Sequence, residues 1–328
     1  MSIRRFLAGL RASPEARGRL VCHRRIDARP ARYQELAQPL PPRLQEYLTR
    51  QGIAQLYTHQ AQAITAARAG KNVLSITATA SGKTLTYNLP VIETLLGHPQ
   101  AHALYLFPTK ALAQDQLGKL RDFHLYPLLK PGTYDGDTPA HLRARYKREL
   151  NVVLTNPDML HVGILPYHGT WATFLRNLKY IVIDEIHAYR GVFGSHVANV
   201  LRRLRRICHL YGSDPQFLCS SATVANPMEL MQRLLGDGRE VAIIDDDGSP
   251  RGAKHFLFWN PPPLGDGGRV STNLEATQLL ASLVRSGVRT ILFTRARKTA
   301  ELILRYARFA LQDTAPELAG RIASYRAG

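Results

Sequence analysis

Short, mostly apolar runs recur along the chain, each followed by a longer stretch whose apolar positions repeat every three to four residues. The runs are Val73–Ile76, Ala103–Phe107, Asn151–Thr155, Tyr180–Ile183 and Gln216–Cys219. Each has strand length and is rich in β-branched or aromatic residues, as a strand buried on both faces requires. The helical pattern begins at Thr84–Leu89. It continues with Leu112, Leu117 and Leu120, and then with the stripe Val197, Val200, Leu201, Leu204 and Ile207. A shorter helix runs from Leu56 towards Gly70. Strands alternating with helices predict an α/β fold with a mostly parallel sheet and flanking helices.

Both ends read differently. Residues 1–50 are rich in Arg and Pro and read as an accessory segment of turns and short helices, such as Leu44–Arg50. Asp245–Gly252 is a polar break containing Gly and Pro, which sets the expected domains at 51–247 and 248–328. Beyond it come an exposed loop at 261–268, a helix over Glu275–Val284, a strand at Thr290–Thr294 and a basic helix from Arg295 to about Leu311. One strand–helix unit is too little to close a second core, so the second domain is expected to be incomplete.

Charge adds the first functional hint. In 328 residues, 43 Lys+Arg against 25 Asp+Glu give a net charge of +18, which favours a polyanionic partner. No apolar run approaches the roughly 20 residues that span a bilayer. Three isolated cysteines, Cys22, Cys208 and Cys219, show no paired spacing for zinc or disulfides, and a reducing cytoplasm fits them.

Two stretches carry the chemistry. Thr77-Ala78-Thr79-Ala80-Ser81-Gly82-Lys83-Thr84, between a strand and a helix, reads as a phosphate-binding loop. Backbone N–H groups from Thr79, Ala80, Ser81 and Gly82 and the positive helix end would face an anion. Lys83 would reach the β- and γ-phosphates, and the Thr84 hydroxyl would hold Mg²⁺. Thr77 and Ala80 occupy positions where glycine and a freer spacer are usual. Downstream, Tyr180–Ile183 delivers Asp184 and Glu185 to the C-terminal end of a strand, where α/β sheets bind ligands. Asp184 would reach the same Mg²⁺, and Glu185 would orient and deprotonate the attacking water.

Weaker signals surround these. The Gln60 amide complements adenine N6 and N7 and could select ATP over GTP. Thr109, Asn156 and the Gly136 turn stand at strand ends, suited to phosphate oxygens of a nucleic acid. The hydroxyls around Ser221 and Thr223 are expected to bond the Asp184–His187 region and sense the γ-phosphate. The arginines at 202, 203, 205 and 206 form a basic helix face, more simply read as solvated.

As a set, the motifs resemble the superfamily 2 ATP-dependent helicases of DEAD/DEAH type, built from two RecA-like domains. His59–Ile64 is similar to the adenine-reading Q motif, Thr77–Thr84 to motif I, and Pro108-Thr109-Lys110-Ala111-Leu112 to motif Ia. Asp184-Glu185-Ile186-His187 resembles motif II, Ser221-Ala222-Thr223 motif III and Phe293-Thr294-Arg295 motif IV. Tyr134–Thr138, Thr155–His161 and Tyr189–His196 narrow the likeness to bacterial mitomycin-repair DNA helicases and their fungal relatives, which are similar to RecQ-like helicases.

The resemblance implies a RecA-like P-loop domain followed by the start of a second, with ATP and Mg²⁺ as cofactors. It also implies 3′→5′ translocation on single-stranded or forked DNA, in DNA repair, in the bacterial cytoplasm beside the nucleoid. Lys83, Asp184, Glu185 and His187 would be catalytic. Thr109, Lys110, Gly136, Asn156 and Arg295 would touch nucleic acid. RNA as the track, or a catalytically incomplete nucleic-acid-binding module, are the alternatives. Motifs V and VI of such helicases, and their four-cysteine zinc domain, have no counterpart before Gly328. An arginine finger contributes about 10³–10⁵ in rate, so weak Mg·ATP binding and poor hydrolysis are expected of these 328 residues. A guanine-reading Asn-Lys-x-Asp is absent, which disfavours a GTPase.

Overall fold

The computed structural model describes residues 3–78, 80–236, 240–265 and 267–325. The strands are β1 (Leu20–Ile26), β2 (Asn72–Ile76), β3 (His102–Leu106), β4 (Pro131–Thr133), β5 (Val152–Thr155), β6 (Leu178–Ile183), β7 (Gln216–Ser221), β8 (Val241–Ile244) and β9 (Lys254–Trp259). The helices are α1 (Ile3–Ala12), α2 (Pro42–Arg50), α3 (Thr58–Arg68), α4 (Thr84–Gly97), α5 (Lys110–Arg121), α6 (Ala140–Glu149) and α7 (Pro157–Met159). They continue with α8 (Ala172–Arg176), α9 (Gly191–Leu210), α10 (Pro227–Leu235), α11 (Thr272–Arg285), α12 (Arg297–Gln312) and α13 (Pro316–Ala319).

Arg29–Arg251 forms one compact unit, and the described residues before and after it form another. In the first, a seven-stranded sheet runs in the order β4-β5-β3-β6-β7-β2-β8, with every recorded pairing parallel. The apolar runs are continuous because successive side chains enter different cores. Val73, Ala103, Tyr105, Val152, Leu154, Val182 and Leu218 pack with Leu44, Ile64, Leu89 and Leu117 of α2–α5. Their neighbours Leu74, Leu104, Val153, Ile181, Ile183 and Phe217 pack with Phe174, Leu201, Leu204 and Leu234 of α8–α10. Each such buried aliphatic side chain contributes roughly 1.5–3 kcal/mol. Two short strands escape the sequence pattern: β4, whose Pro131-Gly132-Thr133 looks like a turn, and the edge strand β8.

The other unit holds an antiparallel ribbon, β1 with β9, in which Arg24 faces Phe256 and His23 faces Leu257. The expected accessory segment of residues 1–50 is therefore divided. Its first part joins this ribbon, and the remainder, including α2, joins the sheet unit. Small clusters centred on Leu280, Ile303 and Ala307, and on Ala281, Leu311 and Ala315, hold α11, α12 and α13 together.

The expected strand Thr290–Thr294 does not form: the segment is irregular backbone ahead of α12. A strand exists only through a neighbour that pairs its N–H and C=O groups, and among the described residues this one has none. Leu292 leans on the Leu280 cluster while Ile291 and Phe293 are 74% and 85% exposed. Among the described residues, no helix is long and apolar enough to cross a membrane.

Asp245–Gly252 also departs from expectation. Its middle residues, Asp247, Gly248 and Ser249, are buried, because their polar groups are satisfied inside the sheet unit rather than by water.

Candidate active site

The loop expected to bind phosphate leaves β2 at Ile76 and turns into α4 at Thr84. Thr77 is buried, and its hydroxyl meets that of Ser81 at 2.6 Å, closing the loop on itself. Ala80 and Gly82 take φ of 64° and 78°. For Ala80 this left-handed backbone costs about 1 kcal/mol, a strain of the kind held at binding loops. Gly82 has a second reason to lack a side chain: a Cβ there would lie 2.6 Å from Gln60 Nε2. Thr79, expected to bind nucleotide, lies outside the described residues.

The loop is held from behind. Gln60 Nε2 donates to the Gly82 carbonyl at 3.1 Å, and Gln60 Oε1 accepts from Tyr57 N–H at 2.9 Å. His59, fully buried, bonds the Ser81 carbonyl through Nε2 at 3.1 Å and accepts from Gly248 N–H at Nδ1, 3.2 Å. The Ser81 and Gly82 carbonyls are thereby engaged by two side chains of α3.

That pair of bonds fixes His59 as the neutral imidazole protonated on Nε2. Burial pushes its pKa below the ordinary 6.5, against the opposing pull of Asp247 and the Ser81 carbonyl. As pH falls below about 6.5 the unfolded chain takes up this proton before the folded one does, so stability is full above that pH and declines below it. The melting temperature is expected to fall between about pH 7.5 and 5.5, and His59→Gln to flatten that slope. A slope unchanged by the substitution would remove His59 as its source.

Lys83 reaches the carbonyl of Ser221 at 3.4 Å and lies 3.9 Å from Glu185 Oε1. The ends of β2, β6 and β7, neighbours in the sheet, thus meet on one ammonium group. Asp184 Oδ1 accepts from Glu185 N–H at 2.9 Å and from the Ser220 hydroxyl, and its Oδ2 accepts from Tyr87 Oη at 3.0 Å. Burial, then the Asp184 charge, push the Tyr87 pKa well above 10, so it stays a phenol.

Glu185 sits at φ 52°, a left-handed turn that ends the strand path and points its carboxylate back towards Lys83 and His187. His187 Nδ1 is 3.1 Å from Glu185 Oε2, 3.2 Å from Ala222 N–H and 3.5 Å from Ser221 Oγ. Unprotonated, this nitrogen accepts from Ala222; protonated, it donates to Glu185. Ser221 is buried within this cluster, whereas Thr223 is exposed.

The expected nucleic-acid residues fall at the ends of adjacent strands β3, β5 and β4. Thr109 follows β3 and caps α5, accepting from Leu112 N–H at 3.3 Å. Asn156 follows β5 and accepts from Met159 N–H at 2.7 Å. Gly136 follows β4 and is exposed, and Lys110 pairs with Asp137 at 2.7 Å. Arg295 is exposed in the other unit.

The loop before α4, an Asp-Glu pair at a strand end and a Ser-Ala-Thr segment closing on His187 thus meet at the ends of three adjacent strands. Residues 57–230, more than half of the chain, match the DEAD/DEAH box helicase family. The chain belongs to this family. It is 47% identical over 285 residues to the ATP-dependent helicase YprA of Bacillus subtilis, covering 85% of this chain and 38% of YprA. To the ATP-dependent helicase HRQ1 of Saccharomyces cerevisiae it is 42% identical over 312 residues, covering 92% of this chain and 29% of HRQ1. The crystal structure of MrfA, a DUF1998 helicase bound to DNA and AMPPNP, superposes with a TM-score of 0.90 at 42% identity, covering 96% of this chain and 44% of MrfA. The chain thus spans less than two-fifths of the two curated relatives, and its sheet unit is the RecA-like fold of such helicases.

Three residues bonded to this candidate site were not singled out from the sequence: Tyr87, Ser220 and Asp247. Tyr87 stands three residues after Thr84, one helical turn along the same face, which is the signal that could have found it. Ser220 precedes the Ser-Ala-Thr motif. Asp247 lay inside what looked like a linker.

Proposed function

We propose that this chain is the ATP-binding part of a DNA helicase that couples ATP hydrolysis to 3′→5′ movement along single-stranded DNA and unwinds duplexes during DNA repair, in the cytoplasm. The observation that carries the reading is the convergence of Lys83, Asp184, Glu185, Ser221 and His187 at the ends of β2, β6 and β7. Thr109, Gly136 and Asn156 stand at the ends of β3, β4 and β5, one row further along the same sheet. DNA as the track is supported by MrfA, which was crystallised with DNA.

The phosphates of ATP would rest on the N–H groups of the loop and the start of α4, with Lys83 exchanging Glu185 and the Ser221 carbonyl for the β- and γ-phosphates. Thr84 and Asp184 supply a hydroxyl and a carboxylate, hard oxygen donors that suit Mg²⁺ completed by phosphate oxygens and water. Bound there, the ion would neutralise charge on the transferring phosphoryl group. Glu185 would take the proton of the attacking water as its oxygen bonds the γ-phosphorus and the bond to the bridging oxygen breaks. His187 would then hold the resulting carboxylic acid or release it, passing between Glu185 and Ala222. Gln60, bonded to the loop at the Gly82 carbonyl and to the start of its own helix at Tyr57 N–H, would offer its remaining N–H and lone pair to adenine.

The test is ATP hydrolysis by this chain with and without single-stranded DNA, with Lys83→Ala as the blank. Turnover above the blank that rises with DNA supports the reading. Nucleotide-independent DNA binding, unchanged in Lys83→Ala, would replace it with a passive nucleic-acid-binding module. RNA competing as well as DNA would change the track.

A further inference from the structure

The residues that follow β8 do more than end the sheet unit. Asp247 is buried, and its carboxylate gathers contacts from three directions. Oδ2 accepts from Ala78 N–H of the phosphate loop at 3.4 Å. Oδ1 accepts from Ser249 N–H at 2.9 Å and from the Ser249 hydroxyl at 2.6 Å. Arg29 and Arg251 approach Oδ2 at 3.5 and 3.9 Å, and His59 Nδ1 lies 3.9 Å from Oδ1. Those two arginines are where the chain enters and leaves the sheet unit. They are also joined backbone to backbone, each N–H donating to the other's carbonyl at 2.8 Å.

We propose that Asp247 is a positioning residue for the nucleotide site, tying the phosphate loop at Ala78 to the paired segments at Arg29 and Arg251. A buried carboxylate in this position needs its donors and cations, and it obtains them from both the loop and the two crossing segments. Displacement of the loop by a bound phosphate therefore changes the contacts of Asp247, and through them those of Arg29 and Arg251. The next residue reinforces the tie, since Gly248 N–H bonds His59, which holds the loop at Ser81. The loop is thus fixed to one short segment at both its start and its turn.

This inference rests on the nucleotide-binding reading, and one experiment separates the two. Affinity for a fluorescent ATP analogue with Mg²⁺, and hydrogen exchange of residues 77–82, 29–33 and 247–251, are measured for the wild type, Lys83→Ala, Asp247→Asn and Asp246→Asn. Wild-type binding no better than that of Lys83→Ala overturns the nucleotide reading, and the exchange of 77–82 without nucleotide then still judges the brace. The brace predicts that Asp247→Asn loosens 77–82, weakens binding about tenfold and abolishes the nucleotide-dependent protection of 29–33. A merely structural role leaves that protection in place. Asp246, exposed and paired with Arg32, is expected to tolerate the same change. Unchanged loop exchange and unchanged affinity in Asp247→Asn would overturn the proposal. If that variant does not fold, Ser249→Ala, which removes one donor, carries the same readouts in the same direction.

Discussion

Replacing Glu185 by glutamine is expected to lower single-turnover ATP hydrolysis by about 10²–10³ while leaving nucleotide affinity within about threefold. The amide keeps the side chain's shape and its contact distance to Lys83 and His187 but cannot take a proton. The strained φ of 52° that aims this side chain belongs to the backbone and survives the change. Measurement with protein in excess over ATP reads the chemical step even where turnover is slow. A rate within threefold of wild type would remove Glu185 as the base and turn attention to His187. The same variant is expected to hold DNA more tightly with ATP bound, because the ATP state persists.

The second large effect is on stability. Gly248→Ala is expected to cost about 2–3 kcal/mol and to lower the melting temperature by about 5–10 °C. A Cβ there would lie 2.7 Å from the Arg32 carbonyl oxygen and 2.8 Å from Thr58 N, besides striking the Thr58 hydroxyl. Both backbone atoms are already committed, Thr58 N–H donating to Arg32 O at 3.0 Å and Arg32 N–H to Gly248 O at 2.8 Å. Nothing in this ladder can retreat without breaking a bond. Gly97→Ala, with open space around the added methyl, is the matched control and is expected to change little. Equal melting temperatures for the two variants would show that the ladder yields.

What was legible in the sequence was whatever a local pattern can encode. The buried strands announced themselves because a sheet covered on both faces leaves no polar alternate position, as at Ala103–Phe107 and Tyr180–Ile183. The loop and the Asp-Glu pair were legible because their spacing relative to a strand end is itself the chemistry. The misses are non-local. Thr290–Thr294 has the composition of a strand, but strandedness belongs to a pair and composition describes one member. β4 hides in a turn-like Pro-Gly-Thr because pairing with β5 outweighs propensity. Asp245–Gly252 has the polarity of an exposed linker, and only the fold reveals Arg29, Ala78 and His59 waiting for those polar groups. Tyr87 looked like one more apolar position of α4 until Asp184 was brought against its hydroxyl.

The β1–β9 ribbon has a consequence for how the protein is made. Its first strand leaves the ribosome well ahead of the second, which follows more than two hundred residues later. At about 5–20 residues per second, roughly ten to fifty seconds separate the two. The sheet unit, contiguous between them, can complete its own pairing during that interval, while Leu20–Ile26 waits as an unpaired strand with free edges. The exposed Arg24 and Arg25 in that strand, unattractive to a passing apolar edge, suit a segment that must stay unpaired until its partner is synthesised.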